Sequence, residues 1–367
     1  MKRLIMDMLL LEQGKAYGFQ EFSLNLLDYL YEHRDEVKFD KVIIVCMESQ
    51  QDMFSRYADK FETVGYPCQS MYKRFYLQTM FPLWLKVKKC DLVYYPGNYT
   101  GLIKRGQVLL TIHDLLFKRK QLLPKPLMRL QRNLYLPVSV RYADKIIAIS
   151  KFTRDDVIAH YPKAQDKTET IYNYFNFKKY AGAVSAPHHN YFLSVCSEEI
   201  HKNTITLLHA YEAYCQQGGD KQLIMVGKII PDSAVAKKLE SLPAEIRQRI
   251  TTCVHITNQQ LAALYQGADA YISASLFEGL GMPVVEAMYF NKPVIVSDIP
   301  VLHEVSMEHA TFFAPLDPQS LVQAMLCFKK SDTDTSQLVV DTYSSANTSR
   351  RYLQCINQFA LNSNCSK

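Results

Sequence analysis

The sequence predicts an α/β protein built of two doubly wound, Rossmann-like domains. Apolar runs of strand length alternate with amphipathic stretches of helix length along the chain, the pattern of parallel sheets covered by helices. At 367 residues the chain exceeds what one hydrophobic core commonly serves. The runs also fall in two sets, divided by the turn-rich stretch 182–190, Gly-Ala-Val-Ser-Ala-Pro-His-His-Asn. These observations place one domain at 1–178, a second at 190–342 and a closing segment at 343–367.

The first set of strands is read at Leu4–Leu11, Val42–Met47, Leu92–Tyr95, Val108–Ile112 and Lys145–Ile149. The opening stretch looks superficially like a leader peptide. Asp7 and Glu12 interrupt its apolar run, and it is too short to span a bilayer, so it reads as a buried strand. No other stretch is long and apolar enough for a transmembrane helix. Ser150, before Lys151-Phe152-Thr153, suits a helix N-cap because its hydroxyl accepts from a free N–H of the first turn. The second set is read at Phe192–Val195, Leu223–Val226, Ala270–Ser273 and Val294–Ser297, with helices at Thr204–Gln216 and Asn258–Gln266 between them.

A hydrophobic fraction of 48% with 21% charged residues is ordinary for a soluble globular chain. Nine cysteines show no CxxC pair and no close Cys/His spacing. They read as thiols of a reducing, cytoplasmic compartment, not as a disulfide framework or zinc site. His188 and His189 are adjacent but have no further ligands near them in sequence, so no metal is expected there. The net charge of +6 is unevenly spread. Residues 71–145 carry fifteen Lys/Arg against Asp91, Asp114 and Asp144, a net +12, and the remaining 27 basic and 33 acidic residues leave −6. The same segment is rich in Phe, Tyr and Leu and holds the single tryptophan, Trp84. Basic residues interleaved with aromatics suit peripheral contact with an anionic membrane, or a phosphate-bearing partner. A solvated basic face over an aromatic core has the same composition. No nucleic-acid-binding module is present, and no nucleic acid partner is expected.

The stretch carrying most chemistry is Ser275-Leu276-Phe277-Glu278-Gly279-Leu280-Gly281-Met282-Pro283-Val284-Val285-Glu286. A buried strand from Ala270 leads into a turn with two glycines, and Pro283 falls where the first residue of a helix belongs. Free N–H groups and the positive end of the helix dipole then make an anion site of Leu280, Gly281, Met282 and Pro283. Glu278 lies in the loop, and Glu286 is read in the first helical turn. A carboxylate beside a phosphate would repel it, so Glu286 is expected to accept hydrogen bonds from sugar hydroxyls. Together these features point to a nucleotide-sugar pocket. A glutamate that only complements the helix dipole is the plainer alternative.

This arrangement resembles the family 4 retaining glycosyltransferases, whose motif is two glutamates separated by seven residues. Glu278 and Glu286 have that spacing, and the filling Gly-Leu-Gly-Met-Pro-Val-Val is similar to the family's. The resemblance implies the GT-B architecture, two Rossmann-like domains facing a central cleft, with a last helix near Ser349–Leu361 crossing back to the first domain. Thr111-Ile112-His113-Asp114 looks like the family's His-Asp signature, implying that His113 approaches the donor sugar while Asp114 holds its loop. Gly18 and Phe22 fit the family's glycine-rich loop in part, which implies a phosphate or acceptor contact at Gly18. The stretches 143–153 and 171–173 match the last N-terminal strand and the approach to the linker.

In the second half, Lys202-Asn203 is retained where the family holds the donor diphosphate, but Cys196 and Ser197 stand where Gly-Arg is usual. Ser197 leaves one cation where two are common, and Lys228 is the candidate replacement. A glycine common near Val254 is also absent. The implied catalytic residues are His113, Glu278 and Lys202, with Glu286 on the ribose. The resemblance further implies a metal-independent hexosyltransferase that needs no cofactor beyond its nucleotide-diphosphate sugar. Its acceptor would be a saccharide or lipid-linked saccharide of bacterial surface-polysaccharide synthesis. Ser197 and the altered 253–256 loop also fit a non-catalytic nucleotide-sugar-binding homologue that acts as a partner or regulator.

Overall fold

The structure is a computed structural model and describes residues 1–12, 18–67, 74–123, 125–180, 190–329 and 333–362. The turn-rich stretch at 182–189, its two histidines, and Gly14 to Tyr17 lie outside these residues. The chain divides into two compact units. The first comprises Met1–Lys120, Lys125–Phe175 and Tyr343–Lys367, and the second comprises Gln121–Pro124 and Asn176–Thr342.

The first unit holds a seven-stranded, all-parallel sheet among the described residues. Its strands are β1 (Arg3–Asp7), β2 (Lys41–Met47), β3 (Glu62–Tyr66), β4 (Leu92–Tyr95), β5 (Gln107–Ile112), β6 (Lys145–Ala148) and β7 (Thr168–Thr170), in the order β3-β2-β1-β4-β5-β6-β7. The second unit holds a six-stranded parallel sheet of β8 (Tyr191–Val195), β9 (Gln222–Val226), β10 (Ile250–Cys253), β11 (Ala270–Ser273), β12 (Val294–Ser297) and β13 (Thr311–Phe313), in the order β10-β9-β8-β11-β12-β13. Each is a doubly wound sheet. Its strand order reverses between β1 and β4 in one unit and between β8 and β11 in the other, and open sheets of this kind offer a ligand crevice at the carboxyl ends of such strands.

The interior strands are buried on both faces and read as unbroken apolar runs, as helix-covered parallel strands do. The strands the sequence reading lacks are β3, β7, β10 and β13, the edges of the two sheets. Most of their residues are half-buried or exposed, so no apolar run marks them.

Three sequence expectations are corrected. The first strand ends at Asp7, not Leu11, because the Asp7 carboxylate accepts the Leu9 N–H (3.1 Å) and turns the chain. The helix expected to begin at Pro283 begins at Met282, so Glu286 lies beyond its first turn. Not every cysteine is a thiol: Cys90, at the turn before β4, is disulfide-bonded. Cys46, Cys196, Cys215, Cys253, Cys327 and Cys355 are free.

Ser150 caps the helix Lys151–His160 by accepting the Thr153 N–H at 2.9 Å. The helix Ser349–Asn362 packs in the first unit. Its Tyr352, Leu353 and Ile356 are buried in a core shared with Phe22, Leu26 and Leu30, and the Phe22 and Tyr352 rings lie 5.2 Å apart. No helix among the described residues is long and apolar enough to cross a membrane.

Candidate functional site

In the second unit, two loops meet beyond the carboxyl ends of β8 and β11. The short turn Ile200–Lys202 and the loop after β11 are tied by a Leu276 N–H to His201 C=O bond of 2.7 Å. This brings Lys202 Nζ to 2.6 Å from Glu278 Oε1, and Ser275 Oγ donates to the same oxygen at 2.7 Å. Both side chains of the ion pair are largely buried. Burial alone would raise the Glu278 pKa, but the Lys202 ammonium and the Ser275 hydroxyl outweigh it and hold the carboxyl below its ordinary value.

Asn203 explains why the Lys202 turn is stable. Its backbone is left-handed (φ 54°), which asparagine tolerates better than most residues. Its amide donates to Pro315 C=O at 2.7 Å and its Oδ1 accepts from Thr206 Oγ1 at 2.7 Å.

Glu286 is the second carboxylate. Its Oε1 accepts from Lys179 Nζ at 3.0 Å and its Oε2 from Tyr265 Oη at 2.9 Å. Burial, reinforced by the neighbouring Glu286 charge, pushes the Tyr265 phenol far above its ordinary value, so it stays protonated and donates. Glu286 is therefore fixed by a cation and a phenol, not by the helix start. Lys179 and Tyr265 have no place in the sequence reading of the site, nor has Ser275. Lys178-Lys179 near the domain junction is the only sequence signal for the first.

Gly281 caps the helix Met282–Tyr289 with φ +89°, a left-handed conformation, and a Cβ there would sit 3.1 Å from Leu302 Cδ2. The anion site at this turn is narrower than the sequence suggests. Pro283 has no N–H, and the Val284 N–H already donates to Gly281 C=O at 2.9 Å. The amides left to meet an anion belong to Leu280, Gly281 and Met282.

Ser197 accepts the Glu199 N–H through its hydroxyl (3.3 Å), and its carbonyl accepts from Thr204 Oγ1 (2.8 Å). The end of β9 approaches this turn closely, because a Cβ on Gly227 would lie 1.9 Å from the Cys196 carbonyl oxygen. Lys228 follows Gly227, is exposed, and has no ion-pair partner among the described residues. Lys228 thus lies one residue beyond the point where β9 meets the Cys196–Ser197 turn.

In the first unit, His113 follows β5 and is buried. Its backbone N–H donates to Asn98 Oδ1 at 2.6 Å, and its carbonyl accepts from Thr153 Oγ1 at 3.2 Å. Its Nε2 lies 2.7 Å from the Pro96 carbonyl, and the Phe22 ring stands edge-on at 5.3 Å. A carbonyl can only accept, so this contact assigns the proton to Nε2 and leaves a lone pair on Nδ1. Burial lowers the His113 pKa, with Pro96 and Asp114 opposing in part, so the ring is neutral. Asp114 Oδ1 accepts the Leu116 N–H at 2.8 Å, which holds the loop.

A cavity of about 350 Å³ opens beside His113, walled by Asp114, Phe19, Tyr99, Gln131 and Arg132 among others. Gly18 is exposed at the start of the helix Gly18–Glu32, and a Cβ there would meet nothing within 4 Å. The cavity wall comes from Phe19, one residue on. Asn98, in the turn after β4, and Asp7, at the end of β1, also have no place in the sequence reading of the site. Asp7 is buried, accepts from Gln78 Nε2 at 2.6 Å, and has its pKa raised to about 6 chiefly by burial.

Residues 181–340 match the family model for glycosyl transferases group 1, and residues 27–178 match that for glycosyltransferase family 4. Over 190 residues the chain is 30% identical to the O-antigen chain mannosyltransferase RfbU of Salmonella typhimurium; the match covers 52% of this chain and 52% of that protein, so the chain spans about half the length of this relative. Among solved structures, sucrose-phosphate synthase of Thermosynechococcus elongatus superposes with a TM-score of 0.73 at 17% identity, covering 99% of this chain and 100% of that one. Anabaena HepE in complex with UDP and glucose superposes with a TM-score of 0.64 at 17% identity, covering 98% and 97%. Two parallel doubly wound sheets, the paired glutamates after β11 and two adjoining family matches agree: the chain belongs to the family 4 glycosyltransferases of the GT-B fold.

Proposed function

We propose that this protein is a retaining hexosyltransferase that draws its sugar from a nucleotide-diphosphate donor. The observation that carries the reading is the pair of largely buried carboxylates, one on a lysine (Glu278 with Lys202) and one on a lysine and a tyrosine (Glu286 with Lys179 and Tyr265). In the reaction the anomeric C–O bond to the diphosphate breaks, a bond to the acceptor oxygen forms on the same face, and the acceptor's hydroxyl proton passes to the leaving diphosphate. Negative charge grows on the leaving diphosphate, and fixed cations and amides offset it best in a site closed to water. Lys202 takes this role in the proposal, with Lys228 as the second cation and the amides of Leu280, Gly281 and Met282 at the helix start. Glu286 accepts from ribose hydroxyls, and Glu278 accepts from the donor sugar while keeping Lys202 in position. His113 offers the Nδ1 lone pair to a sugar hydroxyl. No metal or cofactor beyond the donor is needed, since protein cations answer the diphosphate.

The mannosyltransferase name of RfbU supports a mannosyl donor, and UDP with glucose in HepE supports a nucleotide-sugar pocket in this fold. An acceptor saccharide carried on a lipid, in bacterial surface-polysaccharide assembly, fits the O-antigen relative. Ser197 in place of the usual arginine favours a second reading, in which the protein binds nucleotide sugar without turning it over.

Thermal unfolding with a panel of nucleotide sugars tests the pocket. The expected result is stabilisation by one donor, lost in Glu286→Ala and in Lys202→Ala. Stabilisation by no donor, or equal stabilisation of the variants, contradicts the assignment.

A further inference from the structure

Lys179 is a largely buried cation aimed at one carboxylate. It lies in the short turn Phe177–Tyr180 of the second unit. Asn176 shapes this turn, accepting the Lys178 N–H through its side chain (3.1 Å) and the Lys179 N–H through its carbonyl (3.2 Å). Aromatic rings fasten the turn to two helices. Phe177 lies 4.9 Å from Tyr289 at the end of the helix Met282–Tyr289, and Tyr180 stands edge-on to Phe290 at 5.4 Å. Phe290 in turn stacks on Tyr265 of the helix Asn258–Gly267, with centroids 5.6 Å apart. With the backbone held in this way, the Lys179 side chain is only 12% exposed. Its ammonium lies 4.8 Å from the Tyr180 ring centre and 3.0 Å from Glu286 Oε1. A lysine without a buried partner extends its ammonium into water instead.

The two protein partners divide the Glu286 carboxylate evenly. Lys179 takes one site on Oε1, and Tyr265 Oη takes one on Oε2 at 2.9 Å. The Tyr265 hydroxyl also has the Pro283 carbonyl at 3.3 Å, but the nearer, charged oxygen is the stronger acceptor for its one proton. A carboxylate offers about four lone-pair sites, two on each oxygen. Among the described residues one site on each oxygen therefore remains. That pair matches two neighbouring hydroxyls of one sugar ring, each donating to its own oxygen. A ring lacking one of the two leaves a largely buried acceptor unmet, with its desolvation cost uncompensated.

We propose that Lys179 is the positioning residue that makes the nucleotide site select ribose: it fixes the Glu286 carboxylate against Tyr265, so that both oxygens accept from the cis-2′,3′-diol of a nucleoside diphosphate. Lys179 acts through Glu286 and does not itself touch the nucleotide. Without it the carboxylate keeps one fixed partner, turns more freely about its terminal bond, and leaves its charge largely buried and unanswered. The proposal rests on the reading of Glu286 as the ribose contact, and the experiment separates the two.

The experiment is calorimetric titration of the full chain with UDP, GDP and ADP and with their 2′-deoxy counterparts, together with a melting curve for each protein. Wild type, Lys179→Met, Lys179→Arg, Tyr265→Phe and Glu286→Ala are compared. Wild type should bind the ribonucleotide of its preferred base roughly tenfold more tightly than the deoxy form, the effect of one hydrogen bond to a charged acceptor. Lys179→Met removes the charge and keeps most of the side chain's length, and it should bind the two forms within about twofold of each other. Lys179→Arg should restore most of the discrimination. Tyr265→Phe removes the other fixed partner alone and should lower the ratio in the same direction, which keeps the test decisive if Lys179→Met does not fold. A lysine that served only the fold would lower the melting temperature in Lys179→Met and leave the ribose-to-deoxyribose ratio at its wild-type value. That result overturns the proposal, and it leaves the role of Glu286 standing if Glu286→Ala abolishes the ratio. An unchanged ratio in Tyr265→Phe likewise contradicts the clamp. Equal binding of the ribose and deoxyribose forms by wild type, or binding of neither, overturns both readings.

Discussion

Lys202 Nζ and Glu278 Oε1 lie 2.6 Å apart, both largely buried, and Ser275 donates to the same carboxylate oxygen. The lysine assigned to the diphosphate is thus held by the glutamate assigned to the sugar. Removing either partner leaves the other charge buried and unanswered. Lys202→Ala should cost about 1–3 kcal/mol of stability, below the figure for fully buried pairs because some water reaches both groups. The Glu278 pKa is depressed in the folded state. Its contribution is therefore present above the unfolded value and lost as pH falls through the folded one. Denaturant titrations of Lys202→Ala and of Lys202→Met/Glu278→Gln check this. The double variant should regain most of the stability and none of the activity.

Asp7 behaves in the opposite sense. Burial raises its folded pKa to about 6 from 3.8. Folding favours its protonated form, so the associated stability is full below the unfolded value and lost as pH rises through about 6. The shift corresponds to about 3 kcal/mol at neutral pH. Asp7→Asn keeps an acceptor for Leu9 N–H, and a turned Gln78 amide can accept from the new NH2. The variant should be more stable than wild type at pH above about 7 and lack the loss between about 4 and 7, as read by urea midpoints across pH.

His113 is expected to stay neutral, with its proton on Nε2, wherever the protein is folded near neutral pH, because burial lowers its pKa and Pro96 takes the proton's hydrogen bond. Nitrogen-15 chemical shifts of the ring report this directly. An imidazolium signature at neutral pH, or a proton on Nδ1, contradicts the role given to the Nδ1 lone pair. His113→Ala should reduce kcat/KM by roughly tenfold to a hundredfold, with a smaller effect on donor binding.

Lys228 and Ser197 give a rescue test. If Lys228 supplies the second cation, Lys228→Ala should weaken donor binding by roughly tenfold, the worth of one charge-assisted hydrogen bond. Ser197→Arg in the same chain should restore it, because Gly227 brings β9 against the Cys196–Ser197 turn. Calorimetric titration of the donor into both variants checks this. No loss in Lys228→Ala removes the lysine from the site.

The alternation of Leu92–Tyr95, Ala270–Ser273 and Val294–Ser297 with helices was legible because these interior strands are apolar on both faces. β3, β7, β10 and β13 were not, since an edge strand with one open side needs no such run. Within the site, Glu278, Glu286 and Lys202 could be read from local motifs, but their partners could not. Lys179 reaches Glu286 from 107 residues away, and Tyr265 lies 21 residues from it on the helix before β11. No local pattern encodes contacts made only by the fold.

In the proposed reaction Lys202 and the two glutamates serve turnover of a nucleotide sugar. The most direct measurement is release of nucleoside diphosphate from a panel of nucleotide sugars by wild type, Lys202→Ala and Glu286→Ala. The expected result is slow release from one donor by wild type, with kcat/KM lowered about 10²- to 10³-fold in Lys202→Ala and a loss mainly in KM in Glu286→Ala. Wild-type binding of a donor with no release, with or without added saccharide acceptors, would contradict it and leave a nucleotide-sugar-binding protein without catalysis.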